Sequence, residues 1–438
     1  MITKLNFTDR TIKSYAIRKL TPKECFRLMG VRDNVIGTMQ SSNAQAAERL
    51  PDWKGKGTPE DMAISASQQY KQAGNSIVVD VLAHIYEQLF YPAPPKPRPN
   101  KQLSLFDDLE DTLPDLPTTT ADKNEEKIFL TTFSGYDSQL MAADVLREWH
   151  PDFRWTCKGW SDIDKYACQM HNLVFPQFAD CALGDITKID WHEVKSSLQG
   201  REVDLFTYSS PCQDISQAGK QMGLQEGSDT RSALLWRVAD AVEVLRPKYL
   251  LQENVAALVS QKFMPDFQKW LDKLSSLGYV SRWARLNAKN YGVPQNRDRV
   301  FCLSMRRDVA FDYQFPEPFE LLTRLEDVLE DEVSDRYFLK DDAVSKFLKA
   351  NDSDNALFLH FDLPPTHEAA MFLKTWLQNH INTINGWDME LDELADSIEG
   401  MRLVFDSDWK SFCNYHTFPF EGFEGLFKEN MERKKNEK

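Results

Sequence analysis

Between residues 127 and 279 the chain alternates strand-like and helical segments with short connections, and this most limits what it can fold into. KIFLTTFSG (127–135), FRWTCKGWS (153–161), VDLFTYSS (203–210) and KYLLQENV (248–255) are strand-like. Between and after them, SQLMAADVLREWH (138–150), KYACQMHNLVF (165–175), SALLWRVADAVEVLRP (232–247) and FMPDFQKWLDKLSSLGY (263–279) carry apolar residues at helical spacing. Strands separated by helices pair side by side in parallel, so this order predicts an α/β fold, a doubly wound and mostly parallel sheet with helices on both faces. Ligands of such sheets bind beyond the carboxyl ends of the strands. FSGY, SSPCQD and QENV all fall at such ends and are candidates for one shared site.

The flanks read differently. Residues 92–127, PAPPKPRPNKQLSLFDDLEDTLPDLPTTTADKNEEK, are rich in Pro, Thr, Asp and Glu and predict a flexible linker. At 438 residues and 42% apolar composition the chain can bury a full core and is expected to hold two domains. The opening residues MITKLNFTDRTIKSY have no apolar core of signal-peptide length, and no apolar run approaches the roughly 20 residues of a membrane span. Seven scattered cysteines without a C-x-x-C pair predict reduced thiols, with no disulfide framework and no metal cluster. The formal net charge of −15 counts against a nucleic-acid partner on average. Residues 281–310 nevertheless hold seven Lys/Arg against two Asp, a local basic stretch suited to phosphate. Residues 351–408 are the reverse, with 12 Asp/Glu against 2 Lys/Arg.

Cys212 sits between a proline and a glutamine in SPCQ (210–213), where a rigid turn would present its thiol at a strand end. Around it, FSGYDS (133–138), SDIDKY (161–166), GDIT (184–187), SPCQ, QENV (252–255) and QNRDR (295–299) together resemble, in order, the motifs of the DNA cytosine-5 methyltransferases. RKLTPKECFRLMG (18–30) and QAGNSIVVDVLAHI (72–85) resemble the two motifs that normally close that family's chain. Here they come first, as in a circular permutation, which is tolerated where domain termini lie close together.

The resemblance implies a Rossmann-like S-adenosylmethionine-dependent methyltransferase acting on duplex DNA. Cys212 would be the nucleophile that adds to C6 of cytosine and Glu253 the group at N3. Arg299 would hold O2, with Arg297 and Gln295 ordering the site. On the cofactor side it implies Phe133, Ser134, Gly135 and Tyr136 after the first strand, Asp162 for the ribose hydroxyls and Ile163 over the adenine. Asp185 would accept from the adenine amino group, with Ile186, Pro211, Leu234, Asn75 and Ser76 completing the set. No metal is implied. Where the family has a glycine pair, this chain has Asp137 and Ser138. Ordinary helix capping is the competing reading of Asp162 and Asp185.

The expected organisation is residues 1–91 completing the catalytic domain, linker 92–127, S-adenosylmethionine-binding core 128–310, and a smaller C-terminal target-recognition or accessory domain 311–438. A remnant of that domain is expected at 1–14. Residues 31–71 are longer than the resemblance predicts and would carry an added loop. A coil of the linker's length reaches on the order of 30 Å, ample to join the parts. Within it, QLSLF places Gln102, Leu103, Leu105 and Phe106 in the pattern of peptides that hold the bacterial sliding clamp. The resemblance also points to a cytoplasmic enzyme encoded by a bacterium or phage, which in some cases has a cognate restriction endonuclease. Two rival readings are an RNA (tRNA) cytosine-5 methyltransferase and a binding module that has kept the fold without catalysis.

Overall fold

A computed structural model of the chain describes residues 2–6, 11–15, 17–40, 64–92, 125–210, 234–340, 356–360, 367–383 and 386–389. Its strands are β1 (Ile2–Asn6), β2 (Thr11–Tyr15), β3 (Lys127–Thr132), β4 (Trp155–Ser161), β5 (Leu205–Tyr208), β6 (Tyr249–Val255), β7 (Tyr279–Asn287), β8 (Asp298–Arg306) and β9 (Ala356–His360). The contacts divide the chain into two compact units, one of residues 22–330 and one of residues 1–21 with 331–438.

The larger unit is built on a six-stranded sheet of order β4-β3-β5-β6-β8-β7. Strands β4, β3, β5 and β6 are parallel, and helices separate the strands along the chain as the sequence predicts. Strand β8 alone runs antiparallel to its neighbours β6 and β7. The reversal follows from loop length. Only residues 288–297 separate β7 from β8, enough for an antiparallel return and too few for a crossover.

Side chains alternate across the pleat, so each face has its own core. One face presents Phe129, Leu205, Leu251, Phe301 and Leu303 to helices Val79–Phe90, Ser138–Trp149 and Lys165–Val174. The other presents Leu130, Phe206, Leu250, Val300 and Cys302 to helices Trp191–Ser197, Leu235–Leu245 and Met264–Ser276. The sheet is therefore doubly wound.

Helix Val79–Phe90 comes from the segment ahead of the linker, yet it is as deeply buried as any helix of the core. Val79, Leu82, Ala83, Ile85, Tyr86, Leu89 and Phe90 lie at helical spacing and all are buried. It packs along helix Ser138–Trp149, the first helix after β3. Pro92 follows closely and disfavours continuation, and the Tyr91 ring stacks on His150 with centroids 3.8 Å apart.

The unit extends past the expected boundary at 310/311. Tyr313 is buried and its hydroxyl donates to the carbonyl of Ile85 at 3.3 Å, while Tyr291 donates to the carbonyl of Pro316 at 2.9 Å. These bonds fasten residues 311–319 to the core, so the division falls at 330/331. At the front it falls at 21/22 and splits the expected 1–91 segment.

In the smaller unit, β1 pairs antiparallel with both β2 and β9, giving a three-stranded sheet of order β2-β1-β9. Helix His367–Thr383 packs on β2 and buries Leu373, Trp376, Leu377 and Ile381, one helical stripe. Backbone bonds from Lys19 to Tyr337 and from Leu339 to Ile17 join the two ends of the chain in this unit.

Ile85 is fully buried between helix and sheet. Ile85→Ala should cost about 2–5 kcal/mol, read from the urea unfolding midpoint. A loss below about 0.5 kcal/mol would contradict the placement of this helix in the core.

Candidate active site

The end of β3 is shaped by three residues with positive φ in alternation: Phe133 (54°), Gly135 (58°) and Asp137 (67°). Gly135 suits that region, and a Cβ there would meet nothing within 4 Å, so the loop leaves open space above it. Its N–H donates to Asp162 Oδ2 at 2.8 Å, while Asp162 Oδ1 accepts from the N–H of Asp164 at 2.8 Å. The ends of β3 and β4 are thereby tied together, and burial pushes the Asp162 carboxyl above its ordinary value. Ile163, next to it, is 76% exposed, an unusual position for a large apolar side chain at a strand end. An open glycine turn, a carboxylate and an uncovered apolar side chain fit a nucleoside with its ribose on Asp162 and its base on Ile163.

Other cofactor-side candidates differ in what they can offer. Ser134 is buried, and its hydroxyl donates to the carbonyl of Ser161 at 3.1 Å. Asp185 caps the turn Ile186–Lys188 and accepts from the N–H and hydroxyl of Thr187, both through Oδ1. Leu234 is half-buried at the start of helix Leu235–Leu245, and Asn75 is exposed at the end of helix Ala66–Asn75. Ser76 lies beside the loop, its hydroxyl 3.2 Å from that of Ser138. Tyr136 and Ile186 have buried side chains packed in the core. Tyr136 packs edge-on against Phe26, and Ile186 lies under the second face.

Glu253 is nearly buried near the end of β6, and Arg299 Nε lies 3.1 Å from its Oε1. Their strands are antiparallel neighbours in register Val255↔Arg299 and Glu253↔Phe301, which puts both side chains on one face. Burial raises the Glu253 carboxyl above its ordinary range, and the positive charges of Arg299 and Arg297 oppose that without cancelling it. Arg299 Nη1 donates to the carbonyl of Asp298 at 2.9 Å, and among the described residues nothing bonds Nη2. Asn254 was not singled out from the sequence. It is buried, and its amide donates to the carbonyl of Ser210 at 3.4 Å, linking QENV to the residue before Pro211. Its place inside QENV was the available signal. Pro211 and Cys212 lie outside the described residues, as do Gln102, Leu103, Leu105 and Phe106.

Gln295 and Arg297 reach away from Glu253, into the segment ahead of the linker. Gln295 Nε2 donates to the carbonyl of Leu28 at 2.9 Å; Arg297 Nη2 donates to the carbonyl of Gly74 at 2.9 Å and to that of Ser76. Ile77, Val78 and Val81 close against Leu286, Ala288, Arg297, Arg299 and Phe301, lining one cleft. Glu24, fully buried, accepts from the N–H of Glu330 at 2.8 Å, and Arg27 pairs with both oxygens of Asp33.

The basic stretch 281–310 is largely neutralised from within. Arg282 pairs with Asp312 at 2.7 Å, Arg285 with Asp298, and Arg306 with Glu202 and Asp308 at 2.7 Å each. Lys289 and Arg307 are its cations without a carboxylate partner among the described residues. Among those residues no group of His, Cys, Asp and Glu is arranged to hold a metal ion, and no helix is long and apolar enough to cross a membrane.

Glu253 gives a pH signature. Its folded carboxyl titrates above the unfolded one, so its contribution favours folding below pH 4.5 and is lost as pH rises through the folded value. Glu253→Gln removes that loss. Denaturant titrations should show the variant gaining on wild type as pH rises from about 4 toward 8. A gap independent of pH would contradict the burial of this carboxyl.

The family model for C-5 cytosine-specific DNA methylase matches residues 2–91 and 147–384, well over half of the chain. A type II methyltransferase of Lactococcus lactis subsp. cremoris is 45% identical over 162 residues, 37% of this chain and 43% of that protein. A second from the same organism is 34% identical over 184 residues, 41% of this chain and 44% of that protein. An orphan methyltransferase of Spiroplasma monobiae is 47% identical over 108 residues, covering 24% and 28%. The chain thus spans less than half the length of these curated relatives. With a family match on both sides of the linker, the chain belongs to the C-5 cytosine-specific DNA methylases.

Proposed function

We propose that the chain transfers a methyl group from S-adenosylmethionine to C5 of cytosine in duplex DNA. The observation that carries this reading is the Glu253–Arg299 pair near a strand end, its carboxylate buried, tied through Asn254 to the residue just before Pro-Cys-Gln. Cytosine C5 is a poor nucleophile. Addition of the Cys212 thiolate to C6, with a proton held by Glu253 at N3, makes C5 electron-rich; loss of the C5 proton and of the thiol later restores the ring. Burial favours the protonated form of Glu253, which suits a group that shares a proton with N3, and Arg299 Nη2 is available to O2. Phe133, Gly135, Asp162, Ile163, Asp185 and Ser76 would hold S-adenosylmethionine, which supplies the electrophilic methyl when bound. The target base must leave the duplex to reach the thiol.

The rivals are weaker. A tRNA substrate would keep the same chemistry, but the relatives are named as type II and orphan methyltransferases and the matching family is of DNA methylases. A module without catalysis has only Asp137 and Ser138 in its favour. We further infer a circular permutation. Its support is that helix Val79–Phe90 packs along helix Ser138–Trp149, although the linker lies between them in sequence. Target recognition is assigned to the unit of residues 1–21 and 331–438, and clamp binding to Gln102, Leu103, Leu105 and Phe106 in the linker.

Purified protein given tritiated S-adenosylmethionine should label duplex DNA and leave tRNA unlabelled. Cys212→Ala should lose transfer by at least about a thousandfold while keeping cofactor affinity within about twofold. Label on tRNA alone, or full activity of Cys212→Ala, would refute the reading. A peptide of residues 98–112 should bind a bacterial sliding clamp with a dissociation constant on the order of micromolar, lost when Leu105 and Phe106 become alanine. No binding at tens of micromolar would remove the clamp assignment.

A further inference from the structure

Asp137, one of the two residues that depart from the family pattern in this loop, is also one of the most completely buried carboxyl groups among the described residues. Asp137 has no solvent exposure, and neither has His171, whose Nε2 lies 3.3 Å from Asp137 Oδ2. The contact is an ion-pair distance without the straight geometry of a directed hydrogen bond, and the ring is fixed independently by stacking on Trp160 at 3.8 Å. The same Oδ2 accepts from the Thr131 hydroxyl at 2.8 Å, so Thr131 Oγ1 can only accept from Ser134 Oγ, 2.9 Å away, and the Ser134 proton is shared between it and the Ser161 carbonyl. Oδ1 takes the N–H of Leu140 at 3.3 Å, as a helix cap would. Tyr86 and Cys157 face the carboxylate too. Burial first and the Asp137 charge second push both of those groups up.

Capping alone does not explain this arrangement. A cap needs one oxygen and tolerates solvent, whereas here the second oxygen is turned into the core toward β3 and helix Lys165–Val174. Nor does the backbone favour aspartate, since φ of 67° is a conformation that glycine adopts at less cost. Burying a carboxylate costs several kcal/mol unless it is paired, so both costs are tolerated only if the carboxylate is doing something there. What it reaches, through Thr131, is Ser134 in the middle of the turn whose Phe133 and Gly135 are left-handed.

We propose that Asp137 and His171 form a buried strut that holds the turn Phe133–Tyr136 in its ligand-accepting shape. Asp137 is a positioning residue, with His171 as its counter-group and Thr131 as the link to Ser134. The inference rests on the reading that this turn takes S-adenosylmethionine. It predicts that glycine, although it suits the backbone, does not restore function here.

The test is calorimetric binding of S-adenosylmethionine to the full chain as wild type, Asp137→Asn, Asp137→Gly, His171→Gln and the Asp137→Asn/His171→Gln double variant. Melting temperature and the separate kcat and KM are read on the same samples. Asp137→Asn and Asp137→Gly should each weaken binding roughly tenfold, about 1.4 kcal/mol, with KM for the cofactor rising far more than kcat falls. His171→Gln should weaken binding of the wild type but add little to Asp137→Asn, because the two act as one unit. Binding by Asp137→Gly equal to wild type, or a full additional loss in the double variant, overturns the strut. Wild type that binds no S-adenosylmethionine at all would instead overturn the cofactor reading, and the strut with it.

Discussion

The first face of the central sheet is apolar, and it must be covered by a helix that lies ahead of the linker. Phe129, Leu205, Leu251 and Leu303 would face water without helix Val79–Phe90 and its neighbours. Burial of such side chains contributes on the order of 1.5–3 kcal/mol each, which outweighs the modest entropy of closing a long loop. The segment of residues 22–92 therefore belongs to the catalytic unit by energetics, whatever its place in the chain. This explains why Gln295 and Arg297, in the β7–β8 return, spend their donors on the carbonyls of Leu28, Gly74 and Ser76. The return is held by the segment it helps to dock. It is also the return that leads into Arg299.

Electrostatics in the cleft follow from the same burial. Glu253 and Arg299 meet where the sheet is covered, so their attraction acts at lower effective dielectric than on the surface. Elsewhere the same ion-pair chemistry is unremarkable. In the pairs of Arg282, Arg285 and Arg306 at least one partner is exposed to solvent, and such pairs contribute little to stability. Their effect is to mask charge. A net charge of −15, with several cations of the most basic stretch paired to carboxylates, leaves little long-range attraction for a polyanion.

Much of the fold was legible because strand and helix periodicities are local. The alternation from 127 to 279 marked out four strands of a mostly parallel sheet and the helices between and after them; the order of the strands was not legible, since β4 and β5 follow one another in sequence yet flank β3. Glu253 and Arg299 were legible as a pair through QENV and QNRDR. Partners distant in sequence were not. The carbonyls that hold Arg297 lie 221 and 223 residues away, and Glu202 lies 104 residues from Arg306. Composition therefore overstated the positive charge of residues 281–310. Asp137 read as a lost glycine because a sequence gives no sign that His171 and Thr131 converge on it.

The claim on which the rest stands is that a thiol of this chain adds to the target base. The most direct measurement uses a long duplex made with 5-fluorocytosine in place of cytosine, incubated with the protein and S-adenosylmethionine and then run under denaturing conditions. Fluorine at C5 cannot leave as the proton does, so the adduct through Cys212 should persist as a protein–DNA band, absent when Cys212 is alanine. Methyl transfer to ordinary duplex, with no such band on the fluorinated one, would contradict the account.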